Sequence, residues 1–333
     1  MTPPLKPTLL EGAAFIQDLV RKIDASTDRV AIVTTTLHDD CDAMHLLIKA
    51  LQRAGDRGVT VSVAADALTY VEPKEFLIRS PKKQPLRAYR AMRSERRLKS
   101  HKVSFHWLGR HSNITFAGRT HVKWMIVDDY TYSFGGINLD HASFENTDYM
   151  IRLHSKSIAN KMYHEHQRLL RADKGGHASR SHAVELTPTE TLLVDGGLPA
   201  DSIIYRRAVR LAREATDIVV VSQYCPTGLL SRILRRKHAK VYFNHWRHAQ
   251  SINKGIIGIG MLTSRKKTDY NRDNYLHAKF ALFTMSDGRK VALTGSHNFM
   301  YSSVFVGTRE VALQTENSAI IKKLETFLEK RVV

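Results

Sequence analysis

The stretch HVKWMIVDDYTYSFGGIN, residues 121–138, sets a histidine and a lysine two apart at the head of an apolar run and closes it with a glycine pair and an asparagine. In an extended chain, side chains two apart share a face. His121, Lys123, Met125 and Val127 are therefore expected on one face, and Val122, Trp124, Ile126 and Asp128 on the other. An imidazole beside an ammonium suits attack on an anionic centre, since the first is a neutral nucleophile or base and the second neutralises charge. Taken alone, a basic pair at a strand's start is more often a solvated edge. A second stretch weighs against that. HAKFALFTMSDGRKVALTGSHN, residues 277–298, repeats His121, Lys123, Gly135, Gly136 and Asn138 as His277, Lys279, Gly295, Ser296 and Asn298. The second copy is longer by a turn, MSDGRK, which carries the Asp-Gly signal of a hairpin. Past the asparagines, Asp148 and Glu310 each open a further alternating run.

A phosphodiester is an anion and resists attack by another anion, whereas a neutral imidazole is a good nucleophile for its phosphorus. A second, protonated imidazole can give a proton to the departing oxygen. Lys123 and Lys279 are candidates to neutralise the non-bridging oxygens, and Asn138 and Asn298 to donate hydrogen bonds to them. Gly136 and Ser296, both small, are read as phosphate-binding positions where the backbone comes close. Asp148 and Glu310 are candidates to accept the other imidazole N–H and fix the tautomer. A metal centre is the rival use for histidines. His164 and His166 lie two apart on a helical stretch and do not share a face, and the chain has no H-E-x-x-H or paired CxxC. No metal or other cofactor is expected.

These residues resemble the paired HxKxxxxD motif of the phospholipase D superfamily. His121, Lys123 and Asp128 fit the first copy in full, with six residues between Asp128 and Gly135, and the resemblance sets Asp128 among the catalytic candidates. The second copy departs from the pattern, with Thr284 where the family usually has aspartate, and Asp287 is the candidate substitute. The resemblance implies two lobes with the histidines meeting at their interface, His121 as nucleophile and His277 as acid. The residues alone do not distinguish the two roles.

The composition bounds the partner. Fifty-one lysines and arginines against 32 acidic residues give a formal net charge of +19, which calls for an anionic partner such as nucleic acid, an anionic lipid surface or a phosphorylated substrate. The excess is concentrated between Arg79 and Lys102, where ten basic residues face Glu95 alone; within it Leu86, Tyr89 and Met92 recur three apart. Cys41 and Cys225 lie far apart in sequence, so no disulfide framework is expected and a cytosolic setting is the default. No apolar run is long enough to span a bilayer, and the N-terminus lacks the pattern of a signal peptide.

Elements that must position the motifs follow from periodicity. GAAFIQDLVRKID has helical spacing, VAIVTTTL reads as a buried strand, DAMHLLIKALQRAGDRG as a helix and VTVSVAAD as the next strand. IANKMYHEHQRLLRA is a further helix. The second half repeats the order with YRRAVRLAREA, DIVVVSQY, TGLLSRILRRK and AKVYFNHW, and EVALQTENSAIIKKLETFLEK ends the chain as strand and helix. The boundary is placed within residues 171–190, which have no apolar period. The expected fold is α/β: two similar α/β/α lobes, residues 1–175 and 186–333, with mixed sheets related by a pseudo-twofold. Because one chain holds both copies, a monomer with a complete site is expected. The early segment and GGIN are similar to bacterial cardiolipin synthases. The preferred function is thus a phosphatidyltransferase acting on phospholipid phosphodiesters through a phosphohistidine, peripheral at the inner face of the membrane. The alternative is a phospholipase D-type nuclease or nucleic-acid phosphodiesterase.

Overall fold

Short runs rich in Val, Ile and Phe supply the central strands of two sheets. The computed structural model describes residues 5–70, 86–109, 118–249 and 251–333. The first sheet comprises β1 (Thr8–Leu10), β2 (Arg29–Thr34), β3 (Thr60–Asp66), β4 (Ser104–Leu108), β5 (Trp124–Val127), β6 (Tyr130–Ser133) and β7 (Met150–His154). The second comprises β8 (His182–Glu185), β9 (Glu190–Gly196), β10 (Asp217–Val221), β11 (Lys240–Tyr242), β12 (Phe280–Thr284), β13 (Lys290–Gly295) and β14 (Arg309–Thr315). Their orders are β1-β7-β6-β5-β2-β3-β4 and β11-β10-β12-β13-β14-β9-β8. Read along the sheets, β3-β2-β5-β6-β7-β1 answers to β11-β10-β12-β13-β14-β9. β4 extends the first sheet, and β8 extends the second at its opposite edge. The pairs β2/β3, β3/β4 and β10/β11 are parallel and the others antiparallel. Both sheets are therefore mixed, and the lobes are two copies of one plan.

Helices cover the sheets where the sequence has a 3.6-residue apolar stripe. α1 (Gly12–Asp24) buries Phe15, Leu19 and Ile23, and α2 (Asp42–Asp56) buries Leu47, Ile48 and Leu51. α3 (Leu86–Lys99) buries only Ala88, Ala91, Ser94 and Leu98. α4 (Lys156–Lys174) starts where the Ser155 side chain accepts from the Ile158 N–H, a normal N-cap. α5 (Ile203–Glu214), α6 (Gly228–Arg236), α7 (Ser251–Ser264) and α8 (Ser318–Phe327) belong to the second lobe.

The lobes are packed together rather than tethered. One apolar cluster takes Trp124 and Tyr149 from the first and Phe280 and Phe327 from the second. The Tyr149 ring centroid lies 4.8 Å from that of Phe327 and 6.1 Å from that of Phe280. Its hydroxyl reaches Thr294 Oγ1 at 2.7 Å, so the polar end of the ring is satisfied across the same interface. Each such side chain contributes roughly 2–3 kcal/mol by leaving water, enough to fix the relative position of two half-sites.

Several expectations change. β5 begins at Trp124, because Val33↔Trp124 is the last pair of its ladder with β2. His121 and Lys123 thus precede the strand, and all four residues of β5 are buried on both faces. Within residues 171–190, α4 runs on through Lys174 and β8 occupies His182–Glu185. Arg79, Lys82 and Lys83 of the basic segment lie outside the described residues. His166 is a core residue, accepting from Trp124 Nε1 at 3.2 Å and pairing with Ser62 Oγ at 3.1 Å, with burial pushing its pKa down to about 4. Among the described residues no group of His, Cys, Asp and Glu is arranged to hold a metal, and no helix is long and apolar enough to cross a membrane.

Candidate active site

The two motifs meet because each lobe hands its histidine to the other. The Thr120 backbone bridges Arg309 at the head of β14, and the His121 N–H donates to Arg309 O at 2.9 Å. The Leu276 backbone bridges Thr147, just before β7, and the His277 N–H donates to Thr147 O at 3.0 Å. The carboxylates follow the same exchange. His121 Nδ1 lies 3.1 Å from Glu310 Oε1 of the second lobe, and His277 Nδ1 lies 2.6 Å from Asp148 Oδ2 of the first. Each Nδ1–H donating to a carboxylate leaves Nε2 with a lone pair, the tautomer that nucleophilic or basic work requires.

Burial sets the protonation of the group. Desolvation is the main influence on His121 and holds its pKa below the ordinary imidazole value, with Glu310 opposing. His277 is pushed further, to about 4, by burial and then by the charge of Lys279, with Asp148 opposing. Both rings are therefore neutral at pH 7. Burial also lowers Lys123 to about 8 and Lys279 to about 7. Asp148 and Glu310, fully buried, stay below the usual carboxylate range because hydrogen bonds and the charge of their histidines outweigh desolvation. The charge of Lys123 reaches both His277 and Lys279, so the motifs form one electrostatic unit.

Small residues make that unit fit. A Cβ on Gly136 would stand 2.5 Å from Asp148 Oδ2 and 2.9 Å from His277 Nδ1, too close for any side chain. One on Gly135 would meet Tyr149 O at 1.6 Å, and one on Gly295 would meet Val311 O at 2.1 Å. The roles of Gly136 and Ser296 differ from the phosphate binding expected of them. The Gly136 N–H donates to Asp148 Oδ1 at 3.0 Å, and Ser296 Oγ donates to Glu310 Oε2 at 2.5 Å. Both are committed to the carboxylates and act as their positioning residues. Lys123 Nζ donates to Thr35 Oγ1 at 2.9 Å and to His121 O at 3.0 Å, and Lys279 Nζ donates to His277 O. Among the described residues, Asn138 and Asn298 each keep a buried Oδ1 without a hydrogen-bond partner; that oxygen is an acceptor, and only the Nδ2 amide could donate to an anion.

Asp128 does not join this group. It sits at the far end of β5 from Lys123, in a left-handed turn with φ +48°. Its carboxylate accepts from the backbone N–H groups of Thr27, Asp28 and Arg29 at 3.0–3.1 Å. It ties the loop before β2 and so supports the lobe, a correction to its place among the catalytic candidates. The corresponding loop of the second lobe is tied through backbone instead: Thr216 N donates to Thr284 O at 2.8 Å and Thr216 Oγ1 to the same oxygen at 3.0 Å. Asp287 is no substitute, because its carboxylate is engaged by Arg289 of its own turn.

Positioning residues that motif reading missed share one location. Asp66, closing β3, accepts from the Thr120 N–H at 2.9 Å, and Asn244, just past β11, accepts from the Leu276 N–H at 2.8 Å. Each fixes the residue before a motif histidine from the carboxyl end of a parallel strand. That is where α/β sheets put their sites, and the rule would have flagged both. Arg309 is buried, with Nη1 on Asp173 Oδ1 at 2.5 Å, and locks α4 beneath the His121 bridge. Nothing in the spacing marks it.

The fold and the site define a class: a two-lobed α/β protein whose paired histidine–lysine motifs meet between the lobes, each histidine oriented by the other lobe. Residues 19–170 match the family model described as "Cardiolipin synthase, PLD-like domain". The first lobe is thus similar to the phospholipase D-like domain of that family. Among solved structures, phosphatidylserine synthase from Haemophilus influenzae Rd KW20 superposes with a TM-score of 0.69 at 12% identity, covering 97% of this chain and 85% of that one. Polyphosphate kinase from Porphyromonas gingivalis gives 0.63 at 12% identity, covering 97% of this chain and 50% of that one. At these identities the likeness is one of fold. No curated protein matches in sequence.

Proposed function

We propose that the protein is a phosphatidyltransferase of the cardiolipin synthase type, acting at an anionic membrane surface. The observation that carries the reading is the match of the first lobe to that family, joined to the exchanged histidine–carboxylate pairs. His121 Nε2 attacks the phosphorus of a phosphatidylglycerol, forming a P–N bond as the P–O bond to the headgroup glycerol breaks. His277 gives its proton to that glycerol oxygen. For this step His277 must be protonated; burial and then the charge of Lys279 hold its pKa low, and a phosphodiester anion between Lys123 and Lys279 opposes the second of these. The neutral His277 then takes the proton from the hydroxyl of a second phosphatidylglycerol. That oxygen attacks the phosphohistidine, the P–N bond breaks, and cardiolipin leaves. Lys123 and Lys279 neutralise the non-bridging oxygens, and the Asn138 and Asn298 amides hydrogen-bond them.

The test is incubation with phosphatidylglycerol vesicles followed by lipid analysis. Cardiolipin and glycerol should form with wild type and not with His121→Ala. If the lipids stay unchanged while single-stranded DNA or RNA is cut by wild type but not by His121→Ala, the nuclease reading replaces this one.

A further inference from the structure

Several large apolar side chains of the second lobe are exposed on segments that adjoin the site. Ile259 and Leu262, one turn apart on α7, are 66% and 79% exposed. Phe305 is 68% exposed, Tyr301 48% and Leu229 42%. These residues are connected. The inner face of α7 lies on the Cys225–Thr227 turn, where a Cβ on Gly260 would stand 3.3 Å from Cys225 Cβ and 3.8 Å from Thr227 Cγ2. Cys225 Sγ and Ser264 Oγ are 3.0 Å apart. Thr227 in turn accepts from the Tyr301 N–H at 2.8 Å through Oγ1 and donates its own N–H to Phe299 O. Phe299 follows Asn298 directly, so this shoulder of the second lobe and the active site share a loop.

Beside it runs an open groove of about 750 Å³, lined by Tyr205, Val209, Leu229 and Val304 and by Arg206, Arg210, Arg213 and Arg232. Arg206 and Arg210 are paired with Asp201 and Glu214. Among the described residues, Arg213 and Arg232 have no carboxylate within ion-pair distance. Exposed aliphatic groups on the same lobe as guanidinium groups without a carboxylate partner suit a bilayer, whose apolar chains lie beneath anionic phosphates. A nucleic-acid surface instead pairs cations with aromatic stacking platforms; Phe305 and Tyr301 could stack, but Ile259 and Leu262, among the most exposed side chains here, cannot.

We infer that this shoulder is the membrane-docking surface: Ile259, Leu262, Phe305, Tyr301 and Leu229 enter an anionic bilayer, and Arg213 and Arg232 take lipid phosphates. The inference deepens the proposed lipid function and rests on it for the identity of the partner. It places attachment on the second lobe rather than on α3, whose exposed Leu86, Tyr89 and Met92 are interleaved with Arg87, Arg90 and Arg93.

The experiment is co-sedimentation of the full chain with vesicles of phosphatidylcholine alone and of phosphatidylcholine with phosphatidylglycerol. Ile259→Asp/Leu262→Asp and Arg213→Glu/Arg232→Glu should each lower the partition coefficient on the anionic vesicles by about tenfold or more. Both should keep the wild-type melting temperature and wild-type turnover of a soluble phosphodiester such as bis(p-nitrophenyl) phosphate. Unchanged vesicle binding in both pairs, or loss only on Arg87→Glu/Arg90→Glu/Arg93→Glu, overturns the inference while leaving the lipid reaction intact. Wild type that ignores vesicles but binds single-stranded RNA through Arg213 and Arg232 also overturns it. Shoulder-dependent vesicle binding without any lipid turnover instead removes the proposed reaction and leaves the surface.

Discussion

The two half-sites are built from one motif and held differently. His277 is the more enclosed, with its side chain 12% exposed against 25% for His121. It also lies nearer its carboxylate, at 2.6 Å against 3.1 Å. Asp148 is held by two backbone N–H groups, those of Gly136 and Tyr149, while Glu310 is held by the Ser296 hydroxyl. Lys123 has Thr35 as a hydroxyl partner, and Lys279, among the described residues, donates only to His277 O. A pseudo-twofold chain can therefore give identical residue types unequal environments, which is how one reaction obtains a nucleophile and an acid from two histidines. Burial strengthens any electrostatic influence, so the imidazolium form of His277 gains most from a phosphate placed beside it.

The largest expected effect separates the histidines. His121→Ala and His277→Ala should each lower turnover by about 10⁴-fold or more, as expected when members of a concerted unit are removed. Protein denatured during turnover should carry phosphorus on His121, and label found only on His277 would reverse the roles. Mixing the two inactive variants should restore nothing, because each chain holds both motifs; recovery would show a site shared between chains.

The exchanged carboxylates sharpen the comparison. Glu310→Gln should impair attack by His121, and Asp148→Asn should impair proton donation by His277, each by roughly 10²-fold or more with a lipid substrate. A p-nitrophenyl leaving group needs little protonation. Asp148→Asn should therefore lose much less on that substrate, and Glu310→Gln should lose as much as before. Equal sparing of both variants would break the assignment of acid to His277.

The histidines, lysines and asparagines were legible because the chain states them twice in one order, and a repeated spacing is a geometric constraint. What the spacing did not contain is which lobe's carboxylate each histidine would meet. Asp148 and Glu310 could be recognised as orienting groups, but their exchange depends on Thr147 bridging Leu276 and Arg309 bridging Thr120, both contacts between distant segments. Ser296 was misread for the same reason. A small residue in a motif invites a phosphate, yet its hydroxyl is turned to Glu310. The helices and central strands followed from periodicity, whereas β1 and β8 are short edge strands with weak patterns. α7 was missed because it is apolar on its outer face as well, which removes the amphipathic signature.

The lysines give a smaller, pH-dependent effect. Lys279 falls to about 7 and Lys123 to about 8 through burial. On an anionic substrate, kcat/KM should fall as pH rises through 7, when Lys279 loses its charge. In an active Lys279→Arg variant the limb should move up to the pH at which Lys123 deprotonates, about 8. A limb that stays at 7 in Lys279→Arg would show that another group controls it. The stability sign is opposite to the functional one. With a folded pKa below its unfolded value, Lys279 binds its proton less well in the native state, so between pH 7 and about 10.4 stability rises with pH on its account. Lys279→Met should then raise the melting temperature at pH 7 while abolishing turnover, with the gain shrinking toward pH 10.

The smallest effect concerns the residue in which the two motifs differ. Asp128 accepts three backbone N–H groups from residues 27–29, and Thr284 offers the second lobe only its carbonyl. Asp128→Ala strips those donors of an acceptor at a partly exposed turn, where water replaces it in part. A cost of about 1–3 kcal/mol is expected, read as a lower denaturant midpoint with an unchanged slope. The active site lies at the other end of β5, so kcat on a soluble phosphodiester should stay within about twofold at temperatures where the protein is folded. The distinction from the histidine half-site is in the kind of loss. A catalytic aspartate would show a falling kcat with an unchanged midpoint, and that outcome would return Asp128 to the reaction. Thr284→Ala should do neither, because the oxygen that ties the second loop belongs to the backbone and survives the substitution.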